Sequence, residues 1–87
     1  AAPESFQITS QGYSNTITLY FPEGQMAPAP TLFFAPGWEV DCDSYAELFR
    51  FWVSKGYVAV CDDYHEDSGE IGAQLRDSFV AAASLHH

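Results

Sequence analysis

The sequence predicts a small α/β domain, and three observations carry that reading. Thr31 to Ala35 is a short apolar run closed by Pro36-Gly37, the pattern of a strand buried on both faces and then stopped. Tyr57 to Cys61 repeats it after Gly56. Between them, Tyr45, Leu48, Phe49, Trp52 and Val53 recur at helical spacing, so all five fall on one stripe of a helix that has to be buried. Two strands joined by such a helix are most economically parallel neighbours with a right-handed crossover.

The ends of this helix are marked as well as its face. Ser44 followed by Glu47 has the spacing of a capping box, with Asp41 and Asp43 upstream at the positive end of the helix dipole. Lys55 and then Gly56 close the other end, a cation followed by a residue that accepts a left-handed turn.

Earlier in the chain, Ser5 to Thr9 alternates Phe6 and Ile8 with polar neighbours, a half-buried strand. Gly12 to Asn15 supplies turn residues. Thr16 to Phe21 then places Ile17, Leu19 and Phe21 on one side and Thr16, Thr18 and Tyr20 on the other, so the two runs are expected to pair antiparallel. The proline-rich stretch 22–30 cannot join a ladder and is expected to be an extended surface connector. After the central unit, Asp62 to Gly69 reads as an acidic loop. Asp67 and Glu70 are placed to cap a final helix on which Ile71, Leu75, Phe79 and Ala82 share a face.

Length and charge limit what such a chain can do. Residues 1–85 are expected to make a single domain, and at this size only roughly 60–65% of the unfolded surface is buried, so the core is small. A composition of 47% hydrophobic and 16% aromatic residues is too apolar for a disordered tail. Three Lys plus Arg against twelve Asp plus Glu give a net charge of -9, which argues against nucleic acid and anionic membrane as partners. No apolar run is long enough to span a bilayer and no signal-peptide pattern is read. The Ala1-Ala2-Pro3 start fits a mature end left by signal cleavage and equally an artificial one; a secreted location is favoured over a cytosolic one. His86-His87 reads as a tag remnant and is set aside from site reasoning.

Few residues offer chemistry on their own. Asp41, Asp43 and Glu47 have some of the spacing of a calcium loop, but its glycine position is Ala46 and its last acid position is Trp52, so helix capping is the simpler reading. Asp62, Asp63, His65, Glu66, Asp67 and Glu70 could gather a divalent metal, yet a solvated acidic loop accounts for them without an ion. No cofactor motif is read. Trp38 and Tyr45 are candidates to line a substrate cleft, although Tyr45 fits the buried stripe of the helix and is better read as core. Cys42 and Cys61 lie 19 positions apart. If the two strands are parallel neighbours, both cysteines come to the same rim of the sheet. A disulfide is then geometrically allowed in a secreted protein, while in a cytosolic one Cys61 is a small buried hydrophobe.

The wording of the middle adds a resemblance. Leu19-Tyr20-Phe21-Pro22, the run from Pro30 to Trp38, Ser44-Tyr45-Ala46-Glu47-Leu48, the run from Ser54 to Val60 and Asp62-Asp63-Tyr64 together resemble the N-terminal part of the α/β-hydrolase superfamily. The similar branches are cutinase-like polyester hydrolases, dienelactone hydrolases and chlorophyllase-like enzymes. The resemblance implies a mixed four-stranded sheet in the order 1-2-4-3, flanked by one helix on each face. It also implies hydrolysis of a carboxylic ester through an acyl-serine. The third strand of that family ends in a Pro-Gly or His-Gly turn whose next residue donates its backbone N–H to the oxyanion hole, a role that falls by position on Trp38. No serine here has glycines two before and two after it, so no nucleophile elbow is present, and His65 has no elbow serine to serve. The expectation is therefore a truncated ester-hydrolase domain that keeps the scaffold and part of the oxyanion hole and is inactive alone. The alternative is a non-catalytic self-associating or binding module. In the family the fifth strand pairs with the third. Without it Thr31 to Ala35 becomes an uncharged edge, expected to pair with a second copy in a homodimer or larger oligomer.

Overall fold

The computed structural model describes residues 3–24 and 29–85, the last of these by its backbone alone. The expectations for Ala1-Ala2, for the middle of the proline-rich connector and for His86-His87 lie outside the described residues. Strands β1 (Glu4–Ser10), β2 (Tyr13–Tyr20), β3 (Thr31–Phe34) and β4 (Val58–Asp63) form one sheet in the order β1-β2-β4-β3. The first two pairings are antiparallel and β3 runs parallel to β4, so the fold is the mixed α/β sheet expected. Helix α1 (Ala46–Ser54) makes the crossover between β3 and β4, and α2 (Ile71–Leu85) follows β4.

Strand alternation sends the sheet's apolar residues to two separate cores. On the α2 side, Ile17, Leu19, Val58 and Val60 meet Ala82, with Phe6, Ile8, Phe21 and Phe79 packed around them. On the α1 side, Tyr20, Ala59 and Cys61 meet Cys42 and Phe49, with Phe34, Tyr45, Trp52 and Val53 at the margin. The predicted stripe of α1 is the buried one, although Leu48 is only half-buried and stands outside the cluster. Strand β4 contributes to both cores and is buried on both faces, as its unbroken apolar run requires.

Several local expectations are corrected. The hairpin turn is two residues, Gln11 (φ 55°) and Gly12 (φ 81°), rather than Gly12 to Asn15. Both residues are left-handed, the conformation whose twist matches the flanking strands, and this lets Tyr13, Ser14 and Asn15 join β2. The Ser44–Glu47 capping box is not the start of the helix. A 3-10 turn, Cys42–Tyr45, begins earlier, and Asp41 caps it by accepting from the Ser44 N–H at 3.3 Å and the Ser44 hydroxyl at 3.2 Å. Asp67 and Glu70 do not cap α2 with their side chains; the Ser68 hydroxyl accepts from the Glu70 N–H at 2.9 Å. The C-terminal end of α1 follows expectation: Gly56 sits at φ 94°, its N–H donates to the Val53 carbonyl and the Tyr57 N–H to that of Trp52. Strand β3 ends at Phe34 and, lying at the sheet's edge, is half-exposed rather than buried on both faces.

Candidate functional site

Among the described residues, the loop between β3 and α1, at the carboxyl rim of the two parallel strands, joins an exposed backbone turn to part-buried ionisable groups. Its tip is a tight turn in which the Val40 N–H donates to the Gly37 carbonyl at 3.1 Å. Glu39 adopts φ 60°, sparsely populated for a residue with a side chain. The neighbouring Glu66 carboxylate accepts the Glu39 N–H through both oxygens, at 2.9 and 2.7 Å, and so helps to hold the turn in that conformation.

The residues at and just beyond the end of β4 fix the rest of the loop. The Tyr64 hydroxyl donates to the Pro36 carbonyl at 2.6 Å, and the Asp63 carboxylate accepts from the Cys42 N–H at 2.8 Å. A disulfide joins Cys42 to Cys61 with the α-carbons 6.0 Å apart. Burial raises the Asp63 carboxyl above its ordinary range; the Cys42 N–H works against the rise, while Asp41 and Asp43 add to it. Burial likewise raises Tyr64, helped by the charges of Glu66 and Asp62, so it remains a hydrogen-bond donor at neutral pH.

Trp38 stands at the tip, 68% exposed, and its ring lies out in solvent rather than in a cleft. Among the described residues its N–H makes no hydrogen bond. Tyr45 belongs to the core instead, its ring 4.6 Å from that of Phe34. The described cleft of about 350 Å³ is elsewhere, between β2 and α1, lined by Tyr20, Phe21, Glu23, Arg50, Val53 and Ser54. Asp41 of the calcium-loop spacing serves as the cap described above. Among the described residues, no three His, Cys, Asp or Glu side chains come together as a metal-holding group.

The acidic segment is the part the sequence misread. Asp62 and Asp63 extend β4 instead of opening a solvated loop, and Asp62 is fully buried. It faces α2, because it shares the parity of Val58 and Val60 and pairs with Ile17 across the ladder. Asn15, two residues before Ile17, and Ser78 of α2 are also fully buried on this side. Burial pushes the Asp62 carboxyl up from 3.8 to about 6; the Ser78 hydroxyl works against this, Asp63 adds to it and His65 opposes it. His65 is not placed to activate a serine. Its Nε2 lies 2.8 Å from the Ser14 carbonyl, its ring is 5.0 Å from that of Tyr13, and Ser78 is sealed from substrate. Gln74 is buried but satisfied: it accepts from the His65 N–H at 2.8 Å and donates to the His65 carbonyl at 3.1 Å. The sequence did carry a signal for this cluster, since Gln74, Ser78 and Ala82 fall at i, i+4 and i+8.

The chain matches no protein-family model and no curated protein.

Proposed function

We propose that this chain is the scaffold-bearing part of a serine carboxylic ester hydrolase of the α/β-hydrolase type. In this reading Trp38 contributes its backbone N–H to the oxyanion hole, and sequence outside these 87 residues supplies the nucleophile. The observation that carries the reading is the unpartnered Trp38 N–H, on a loop that leaves the carboxyl end of a parallel strand and is tied down by Cys61, Asp63, Tyr64 and Glu66. An oxyanion donor has to be fixed before the charge develops, and those ties supply that fixing. With no elbow serine and with Ser78 buried, the chain alone is expected not to turn over. The test has two arms. The reading frame beyond Leu85 is expected to encode G-x-S-x-G within a few tens of residues; a frame that continues without it refutes the hydrolase reading. The pure 87-residue chain is expected to leave a short-chain activated ester unhydrolysed and a serine-directed phosphonate unbound, and stoichiometric labelling would overturn the scaffold-only role.

A second reading, a self-associating module, has an observation of its own. Strand β3 is a sheet edge with no charge, lysine or proline, and its Phe33 is 43% exposed, its ring 5.0 Å from that of Phe79 in α2. Two such edges paired across a two-fold axis would give a continuous sheet through both copies, and physiological salt screens the repulsion between two chains of charge -9. Light scattering on a sizing column decides it. A dimer that Phe33→Asp dissociates favours this reading, and a stable monomer near 9.6 kDa removes it.

A further inference from the structure

We propose that Asn15, Asp62 and Ser78 form an internal proton-binding site that couples the docking of α2 on the sheet to pH. The inference is independent of the ester-hydrolase reading, because none of the three touches the β3–α1 turn.

The geometry begins with three side chains from three elements, all fully buried on one face of the sheet. Asn15 comes from β2, Asp62 from β4 and Ser78 from α2. No polar atom of the Asn15, Asp62 or Ser78 side chains meets hydrogen-bond geometry with a partner, although the Ser78 hydroxyl is near enough to Asp62 to favour its charged form. Ser78 sits one helical turn from Gln74, which is fixed to the His65 backbone, and one turn from Ala82, which is fixed in the apolar core. It is therefore held over the sheet whether or not its own hydroxyl is satisfied.

An ionised carboxylate only accepts hydrogen bonds, and burying one without a counter-charge is among the costlier things a fold can do. Of the charged and titratable groups around Asp62 only His65 favours the ionised form, and none makes a hydrogen bond to the carboxylate. On its own segment, Asp63 adds a like charge, Tyr64 donates to Pro36, and His65 is turned to the Ser14 carbonyl and the Tyr13 ring. On α2, Asp77 is held by Ser10 of β1 at 2.6 Å and by Arg76 at 3.0 Å. A proton neutralises Asp62 without needing added volume. It also turns one oxygen into a donor, for which Asn15 Oδ1 and Ser78 Oγ are the available acceptors. In mildly acidic solution the three groups close the contact between α2 and the sheet; once the proton leaves, a charge is trapped under the helix.

The sign of the linkage follows. A carboxyl whose value rises from 3.8 in the unfolded chain to about 6 in the folded one binds more protons when folded, so stability falls as pH rises through that window. The unfolding equilibrium constant is expected to grow by up to about a hundredfold between pH 4 and pH 7.5 from this group. The test is denaturant unfolding of the oxidised protein across that range, for the wild type and for Asp62→Asn, with Asp63→Asn and His65→Gln run beside them to remove the neighbouring titrations. The wild type and both neighbour variants are expected to lose stability through about pH 6, whereas Asp62→Asn loses most of that dependence. A wild type that is flat or gains stability over the window, or an Asp62→Asn variant that keeps the whole step, overturns the proposal. Carboxyl carbon NMR of the wild type gives the answer even if Asp62→Asn does not fold. An Asp62 signal that titrates near 6 supports the site, and one that titrates below 4 overturns it.

Discussion

The two faces of this sheet are made by the same strands and held in different ways. On the α1 face, Phe49 is fully buried among Tyr20, Phe34 and Trp52, with ring centroids 5.4 to 5.6 Å apart, and the Cys42–Cys61 bridge closes beside them. Its centre is apolar and covalent, with the part-buried Asp63 carboxyl only at the margin on the Cys42 N–H, so most of its strength is indifferent to pH. On the α2 face an apolar half, around Ile17, Leu19 and Ala82, gives way to a polar half where Asn15, Asp62 and Ser78 are buried without partners. One alternating strand thus contributes apolar packing to one helix and an ionisable contact to the other. The difference teaches that a small sheet can carry a permanent layer and a conditional one.

The largest expected effect is on the permanent layer. Replacing Phe49 by Ala removes its most central side chain and is expected to cost about 3–5 kcal/mol in denaturant unfolding, enough to unfold most of a domain this small. A loss below about 1 kcal/mol would mean that the aromatic cluster is not what holds α1. Next comes the bridge, which joins two cysteines 19 positions apart in the sequence. Reduction, or the paired Cys42→Ser and Cys61→Ser change, is expected to cost roughly 3 kcal/mol and to free the β3–α1 loop. If the midpoint does not move on reduction, the Asp63, Tyr64 and Glu66 contacts suffice to fix the loop. Gln74→Ala is smaller, about 1–3 kcal/mol, because it strands the part-buried His65 N–H and carbonyl. Its effect should appear first in α2, and equal loosening of α1 would erase the distinction between the faces.

The permanent layer was also the legible one. The spacing of Tyr45, Phe49, Trp52 and Val53 and the left-handed Gly56 could be read directly, since apolar periodicity and a helix stop are local properties. The resemblance added the strand order. Asp62 was misread because an aspartate after an apolar run looks like the end of a strand. Only its pairing with Ile17 and the helix above it decide that it turns inward. Asn15 was lost to a turn for the same reason: a Gly-Tyr-Ser-Asn run has turn composition, and the strand begins inside it only because Gln11 takes a left-handed conformation with Gly12. Of the candidate site, Trp38 could be placed by resemblance, but the Glu66 contact to Glu39 depends on a meeting of segments 27 residues apart.

Amide hydrogen exchange of the oxidised protein at pH 5 and pH 7.5, compared as protection factors, tests most directly whether the two faces are held independently. The Gln74 to Ala82 amides, which exchange when α2 lifts off the sheet, are expected to lose up to about tenfold protection at the higher pH, while α1 amides that open without global unfolding stay within a few-fold. Equal loss of protection in both helices, or earlier loss in α1, would contradict the account.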